Sequence, residues 1–179
     1  MSVIGIHIIG DGIRIAKAQK QRKGIVVIGK ADNRFSKGLV RKGVIVKPEK
    51  AGEELKQLIQ SNASLHASKA VICLSPEQVY VTLCSTKRAS GSKERMLIEK
   101  EIKRWIPEEL SKLAYSVRIL EKKKDKIDVA VIAVRQDVLV SYVACCKAAG
   151  LHIIGITTVP HAIASLAKGI KQPSLLFST

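Results

Sequence analysis

Aromatic side chains are nearly missing from this sequence: two Phe, one Trp and three Tyr in 179 residues. A core must therefore be built from Ile, Val, Leu and Ala, and a hydrophobic share of 46% supplies enough for one globular domain or two small ones. The same scarcity argues against a single-strand nucleic-acid binder, which stacks bases on aromatic platforms. Acidic residues are few as well, 15 against 31 Lys and Arg, for a formal net charge of +16. That imbalance favours an anionic partner (nucleic acid, the inner face of a membrane or an acidic protein) and says nothing about the fold. The basic residues are spread along the chain. Their densest stretch, Lys20, Arg22, Lys23, Arg34, Lys37, Arg41 and Lys42, reads as a solvated surface with Phe35 as its sole aromatic neighbour.

Cysteine motifs are missing too. Cys73, Cys84, Cys145 and Cys146 form no C-x-x-C pair and no metal spacing, and each falls within an apolar strand or helix pattern. Unpaired cysteines fit a reducing cytoplasm. No apolar run approaches membrane-spanning length, and the N-terminus lacks a signal peptide's basic region and long apolar stretch. The expectation is a soluble cytosolic protein that can sit against a membrane.

What is present is a regular alternation of elements. Val3 to Ile9, Ile13 to Ala18 and Gly24 to Lys30 are rich in Ile and Val and separated by polar or glycine-bearing turns, which predicts three strands. A basic loop and a short strand at Gly43 to Val46 follow. Pro48 suits a first helical position, with Ala51, Leu55, Leu58 and Ile59 at helical spacing, and Lys69 to Leu74 predicts the next strand.

In the second block, Val79, Val81 and Leu83 alternate with Tyr80, Thr82 and Cys84 as in a strand. Ser90 or Ser92 is positioned to cap a helix in which Ile98, Ile102, Trp105 and Ile106 share a face, and Pro107 ends it. Tyr115 to Glu121 and Ile127 to Val134 predict a hairpin. A helix follows, with Val138, Leu139, Tyr142, Val143, Cys146 and Ala149 on one face and Gly150 as its stop. The order β-α-β-β-α is a split βαβ type of unit. His152 to Thr157 then reads as a buried strand. Thr157 or Thr158 caps a helix entered through Pro160, with Ile163, Leu166, Ala167 and Ile170 inward. Leu175 to Phe177 begins a further strand in which the sequence stops, which predicts a truncated protein.

Several stretches, in this order, resemble the actin-like family, in particular the PilM type of pilus-assembly protein and its relative FtsA. The opening Gly5-Ile6-His7-Ile8-Ile9, the turn Gly10-Asp11-Gly12 and the strand Ile13-Arg14-Ile15 stand where the family has G-I-D-I-G, a polar turn and a strand like S-I-K-L. GVIVKPEKAGEELKQLI is similar to the loop and first helix, and KERMLIEKEIKRWIPEEL to the helix with its terminating Ile-Pro. VIAVRQDVLVSYVACCKAAGLHIIGITTVPHAIASL is similar to the strand, helix, Ala-Gly-Leu, strand and Pro-led helix. The resemblance implies an α/β fold: residues 1–74 and 151–179 form one actin-like (RNase H-like) core lobe with a mixed sheet, left incomplete. Residues 75–150 form a small inserted β-α-β-β-α subdomain.

In actin-like ATPases, the resemblance further implies, the first-strand Asp organises a divalent metal beside the nucleotide, and glycines in the following turn let backbone N–H groups reach the phosphates. Here His7 replaces that Asp and Ile9 the Gly. A neutral imidazole cannot offset the charge of Mg²⁺ and is a poor ligand for so hard a cation. Gly10, Asp11 and Gly12 keep a permissive turn at the phosphate-loop position, which is also ordinary hairpin chemistry. The second phosphate loop and the adenosine pocket belong to parts of the family absent from this sequence. The implied chain has no cofactor and no ATPase activity of its own; ATP with Mg²⁺ would require a longer protein.

Other constellations do not assemble. Ser64 with His66 and Thr158 with His161 lack a third partner, and His7, His66, His152 and His161 lack metal spacing. Glu99 with Glu101 and Glu108 with Glu109 read as helix surface and helix end. PilM-like proteins bind the short cytoplasmic tail of a bitopic membrane protein, PilN, between core lobe and inserted subdomain, and strand addition is one way to hold such a peptide. Lys93, Lys100, Lys103 and Arg104 lie outside their helix's apolar stripe, a basic rim suited to an anionic leaflet, where each cation contributes roughly 1 kcal/mol. The expected protein is a non-catalytic scaffold of the type IV pilus or a related secretion platform, cytoplasmic and peripheral to the inner membrane. Self-association is compatible with this reading. The alternative is an ATP-binding actin-like protein whose site is completed by residues beyond Thr179.

Overall fold

A computed structural model describes residues 2–22 and 24–166. The strand predicted at Leu175 to Phe177, and the inward positions Ala167 and Ile170, lie outside the described residues. The first strand, β1 (Ser2–Ile9), turns directly into β2 (Gly12–Gln21), and β3 (Gly24–Arg34) follows. Two short strands, β4 (Val40–Arg41) and β5 (Val44–Ile45), pair with each other before α1 (Pro48–Gln60). Pro48 opens that helix because its missing N–H would have no helical acceptor there. Next come β6 (Lys69–Leu74), β7 (Tyr80–Lys87), α2 (Ser92–Trp105), β8 (Leu113–Lys122), β9 (Lys126–Arg135), α3 (Gln136–Ala148), β10 (His152–Thr158) and α4 (Val159–Leu166).

The chain divides into two compact units, Met1–Pro76 with Ser141–Thr179, and Glu77–Val140. The first holds a five-stranded mixed sheet in the order β10-β6-β1-β2-β3. β1 runs antiparallel to β2 and parallel to β6, and β10 runs parallel to β6. The period of two in β1 sends Ile4, Ile6 and Ile8 to one face, where Ile6 lies across from Ile15 on one side and Ile72 on the other, all buried. Each such Ile contributes roughly 1.5–3 kcal/mol by leaving water. Ala51, Leu55 and Ile59 bury the apolar stripe of α1. The second unit is a three-stranded antiparallel sheet, β7-β9-β8. Its core gathers Cys84, Ile98, Ile102, Ile106, Leu113, Ile127, Val129, Val131 and Ala133.

Several positions differ from the reading of the sequence. The division after the insertion, expected at Gly150, falls at Ser141. The Tyr142 hydroxyl donates to the Gly43 carbonyl at 2.7 Å, which ties this end of α3 to the first unit. Helix α2 has no serine cap; Gly91 precedes it at φ +58°, with no side-chain cap bond. Trp105, placed on the apolar face by spacing, is 58% exposed with the Arg104 guanidinium 5.5 Å from its ring centre. Val143 is exposed while Cys145 is buried, so the buried stripe of α3 is turned from the expected one. Among the described residues β10 is an edge strand, with Ile154 and Ile156 partly in solvent.

Candidate functional site

β1 and β2 form a tight hairpin, with Ile9 paired to Gly12 and only Gly10 and Asp11 between them. Gly10 has φ +61° and Asp11 lies outside the left-handed region, the pattern of a type II′ turn with glycine at its first central position. The turn is tied to its surroundings through its carbonyls. Phe35 N–H donates to Asp11 O and Gly43 N–H to Gly10 O, each at 2.9 Å. Beside it lies an open hollow of about 580 Å³, walled by Ile9, Asp11, Gly12, Arg14, Asp32 and Arg34. Arg14 and Asp32 face each other across β2 and β3, 3.9 Å apart and largely exposed.

His7 sits half-buried on the face of β1 opposite the isoleucines, with Arg14 across from it on β2 and Cys73 on β6. Its Nε2 is 3.0 Å from Ser75 Oγ. Ser75, itself buried, donates its single hydroxyl hydrogen to Ile8 O at 2.8 Å. Nε2 must therefore carry the proton and donate to Ser75. Burial, and secondarily the Arg14 guanidinium, hold the His7 imidazole below its ordinary pKa. The group at the position where the resemblance implies a metal-organising carboxylate thus offers an N–H, not a lone pair, on its bonded side, and stands beside the Arg14 guanidinium. No carboxylate shares that position, and among the described residues no cluster of His, Cys, Asp or Glu is able to hold a metal. These residues do not fit a magnesium triphosphate.

The remaining candidates separate. His66 Nε2 lies 3.3 Å from the Gln60 carbonyl, and Ser64 packs under Gly29 of β3. Thr157 Oγ1 is 3.1 Å from His161 Nδ1, while Thr158 accepts the His161 N–H at 3.4 Å and so caps α4. Glu99 is more than a solvated helix residue. Tyr115 donates to it at 2.6 Å and Arg95 at 2.9 Å, and these bonds, Tyr115 first, lower its pKa. Glu108 and Glu109 pair with Arg135 and Lys112. Phe35 is buried, so it offers no stacking platform beside the basic stretch. The His7–Ser75–Ile8 chain had no local signal in the sequence, because its members are 68 and 67 residues apart.

No family model matches the chain, and no curated protein matches it in sequence. Among solved structures, a chain of the PilM-PilN type IV pilus biogenesis complex superposes with a TM-score of 0.79 over 93% of this chain, at 17% identity. The fold is the PilM actin-like fold. This chain spans about half of the PilM-PilN structure's chain, 50% of its length. The cytoplasmic domain of EpsL, an inner membrane component of the type II secretion system of Vibrio cholerae, superposes less closely. Its TM-score is 0.56 at 13% identity, over 88% of this chain and 57% of that one. His7 and the Gly10–Asp11 turn lie at the closed end of the first strand pair. Among the described residues, no helix is long and apolar enough to cross a membrane.

Proposed function

We propose that this chain is a cytoplasmic component of the inner-membrane assembly platform of the type IV pilus, or of a related secretion system, and that it acts by holding another protein. The partner would be the short cytoplasmic tail of a PilN-like bitopic membrane protein. The observation that carries this reading is the PilM fold, matched over 93% of the chain. A binding role without hydrolysis is supported by the chemistry at residue 7. An imidazole held neutral and donating to Ser75 replaces the carboxylate that a metal-bound nucleotide requires. A peripheral position at the membrane agrees with the net charge of +16.

The direct test is a pull-down of the short cytoplasmic tail of a PilN-like bitopic membrane protein. Retention of the tail by the protein supports the proposal. Failure to retain it counts decisively against it. A nucleotide site completed by residues beyond Thr179 would instead give saturable heat when a longer protein is titrated with ATP and Mg²⁺.

A further inference from the structure

β3 is one edge of the five-stranded sheet, and among the described residues no strand lies on its outer side. Along that edge Ile25, Val26, Val27 and Ile28 are 76, 42, 62 and 39% exposed. Exposed edges are ordinarily blunted by a proline, an inward charge or brevity. β3 is 11 residues long, and its apolar run contains neither proline nor charge. A bulge at Ile28 interrupts pairing with β2, since Lys17 faces Gly29 and Ala18 faces Val27. The bulge leaves Ile25 and Val27 on one face, in a row that also contains Lys20, across from Ile25, and Lys30, across from Ala16. Among the described residues neither Lys20 nor Lys30 has an acidic partner, and the nearby Asp32 is matched with Arg14.

We propose that β3 is a docking edge for an extended segment of another protein, apolar at alternate positions and acidic on either side. Backbone N–H and C=O groups of the added strand would continue the ladder, its apolar side chains would cover Ile25 and Val27, and its acids would meet Lys20 and Lys30. Charge selects this occupant over a second copy of the chain, which would bring the same lysines and another net charge of +16 to the seam. Such a partner is independent of the PilN-like tail.

The test uses two end-capped synthetic ten-residue peptides of alternating Val and Thr, one with Glu at both ends and one with Lys, titrated into the chain by fluorescence anisotropy. The Glu peptide is expected to saturate and the Lys peptide to show no binding. Exchanging the exposed pair (Ile25→Lys with Val27→Lys) should weaken the Glu peptide at least about tenfold. Reversing the lysines (K20E with K30E) should transfer the preference to the Lys peptide; this variant carries the test if the first one loses its circular dichroism signal. No saturation by the Glu peptide, equal affinity for both peptides, or indifference to the substitutions overturns the proposal. So does a sedimenting dimer that I25K with V27K dissolves, because it would assign the edge to a second copy.

Discussion

His7 and Ser75, 68 residues apart, meet at 3.0 Å between Nε2 and Oγ, and the serine passes its own hydrogen to the Ile8 carbonyl. The bond joins the end of β1 to the residue that follows β6, at the strand position where the PilM-type resemblance implies a metal-organising carboxylate. It fixes the imidazole as a donor in a position that burial and Arg14 keep uncharged.

Stability should therefore respond to acid. The folded protein resists protonating His7, whereas in the unfolded chain the ring takes a proton near its ordinary value of about 6.5. The unfolded state then binds more protons, so the contribution is complete above pH 6.5 and lost as pH falls through the lower folded value. Thermal melts between pH 7.5 and 5.5 should show the melting temperature falling for the wild type. His7→Gln keeps an N–H for Ser75 without titrating, and its melting temperature should be flatter over that window. Equal slopes in the two proteins would remove His7 from the account.

At Gly52, α1 packs against the end of α3. A Cβ there would meet the Ala148 Cβ and the Cys145 carbonyl, both at 2.5 Å. Gly52→Ala should destabilise the protein by about 1–3 kcal/mol through overpacking, read by urea denaturation. Adding Ala148→Gly should recover only part of the loss, because the carbonyl remains.

Tyr142 is buried, and its hydroxyl donates to the Gly43 carbonyl at 2.7 Å. Tyr142→Phe should remove about 1–3 kcal/mol, the effect of leaving a buried acceptor without that donor, with little change in the packing of the ring. A loss near zero in the same denaturation experiment would mean that water reaches Gly43.

The thiols give a separate check. Burial pushes Cys145 up to about 12 and Cys146 up to about 11, so neither supplies thiolate at neutral pH. In native protein at pH 7.5 a maleimide should leave both unmodified, and mass spectrometry should find them labelled once denaturant is added. Rapid native labelling of either would contradict their burial in α3.

Much of this fold is legible in the sequence because its signals are local. Pro48 marks the start of α1, Gly150 follows α3 at φ +76°, and the alternation of Ile4, Ile6 and Ile8 declares a one-sided strand. What escaped depends on neighbours that spacing does not name. Trp105 has the right interval from Ile98 and Ile102 yet lies in solvent, where the Arg104 guanidinium stacks on it. His152 to Thr158 is apolar enough for a central strand, but among the described residues the sheet order makes it an edge. At the candidate site, the replacement of Asp by His7 is visible in the sequence. Its serine partner and the direction of the proton between them emerge only when β1 and β6 lie side by side.

The most direct measurement is calorimetric titration of the protein with the cytoplasmic tail of a PilN-like bitopic membrane protein, with and without ATP and Mg²⁺. A PilM-like scaffold that grips protein through its fold should give saturable binding with the same affinity under both conditions. Absence of binding, or binding that appears only when the nucleotide is present, would contradict it.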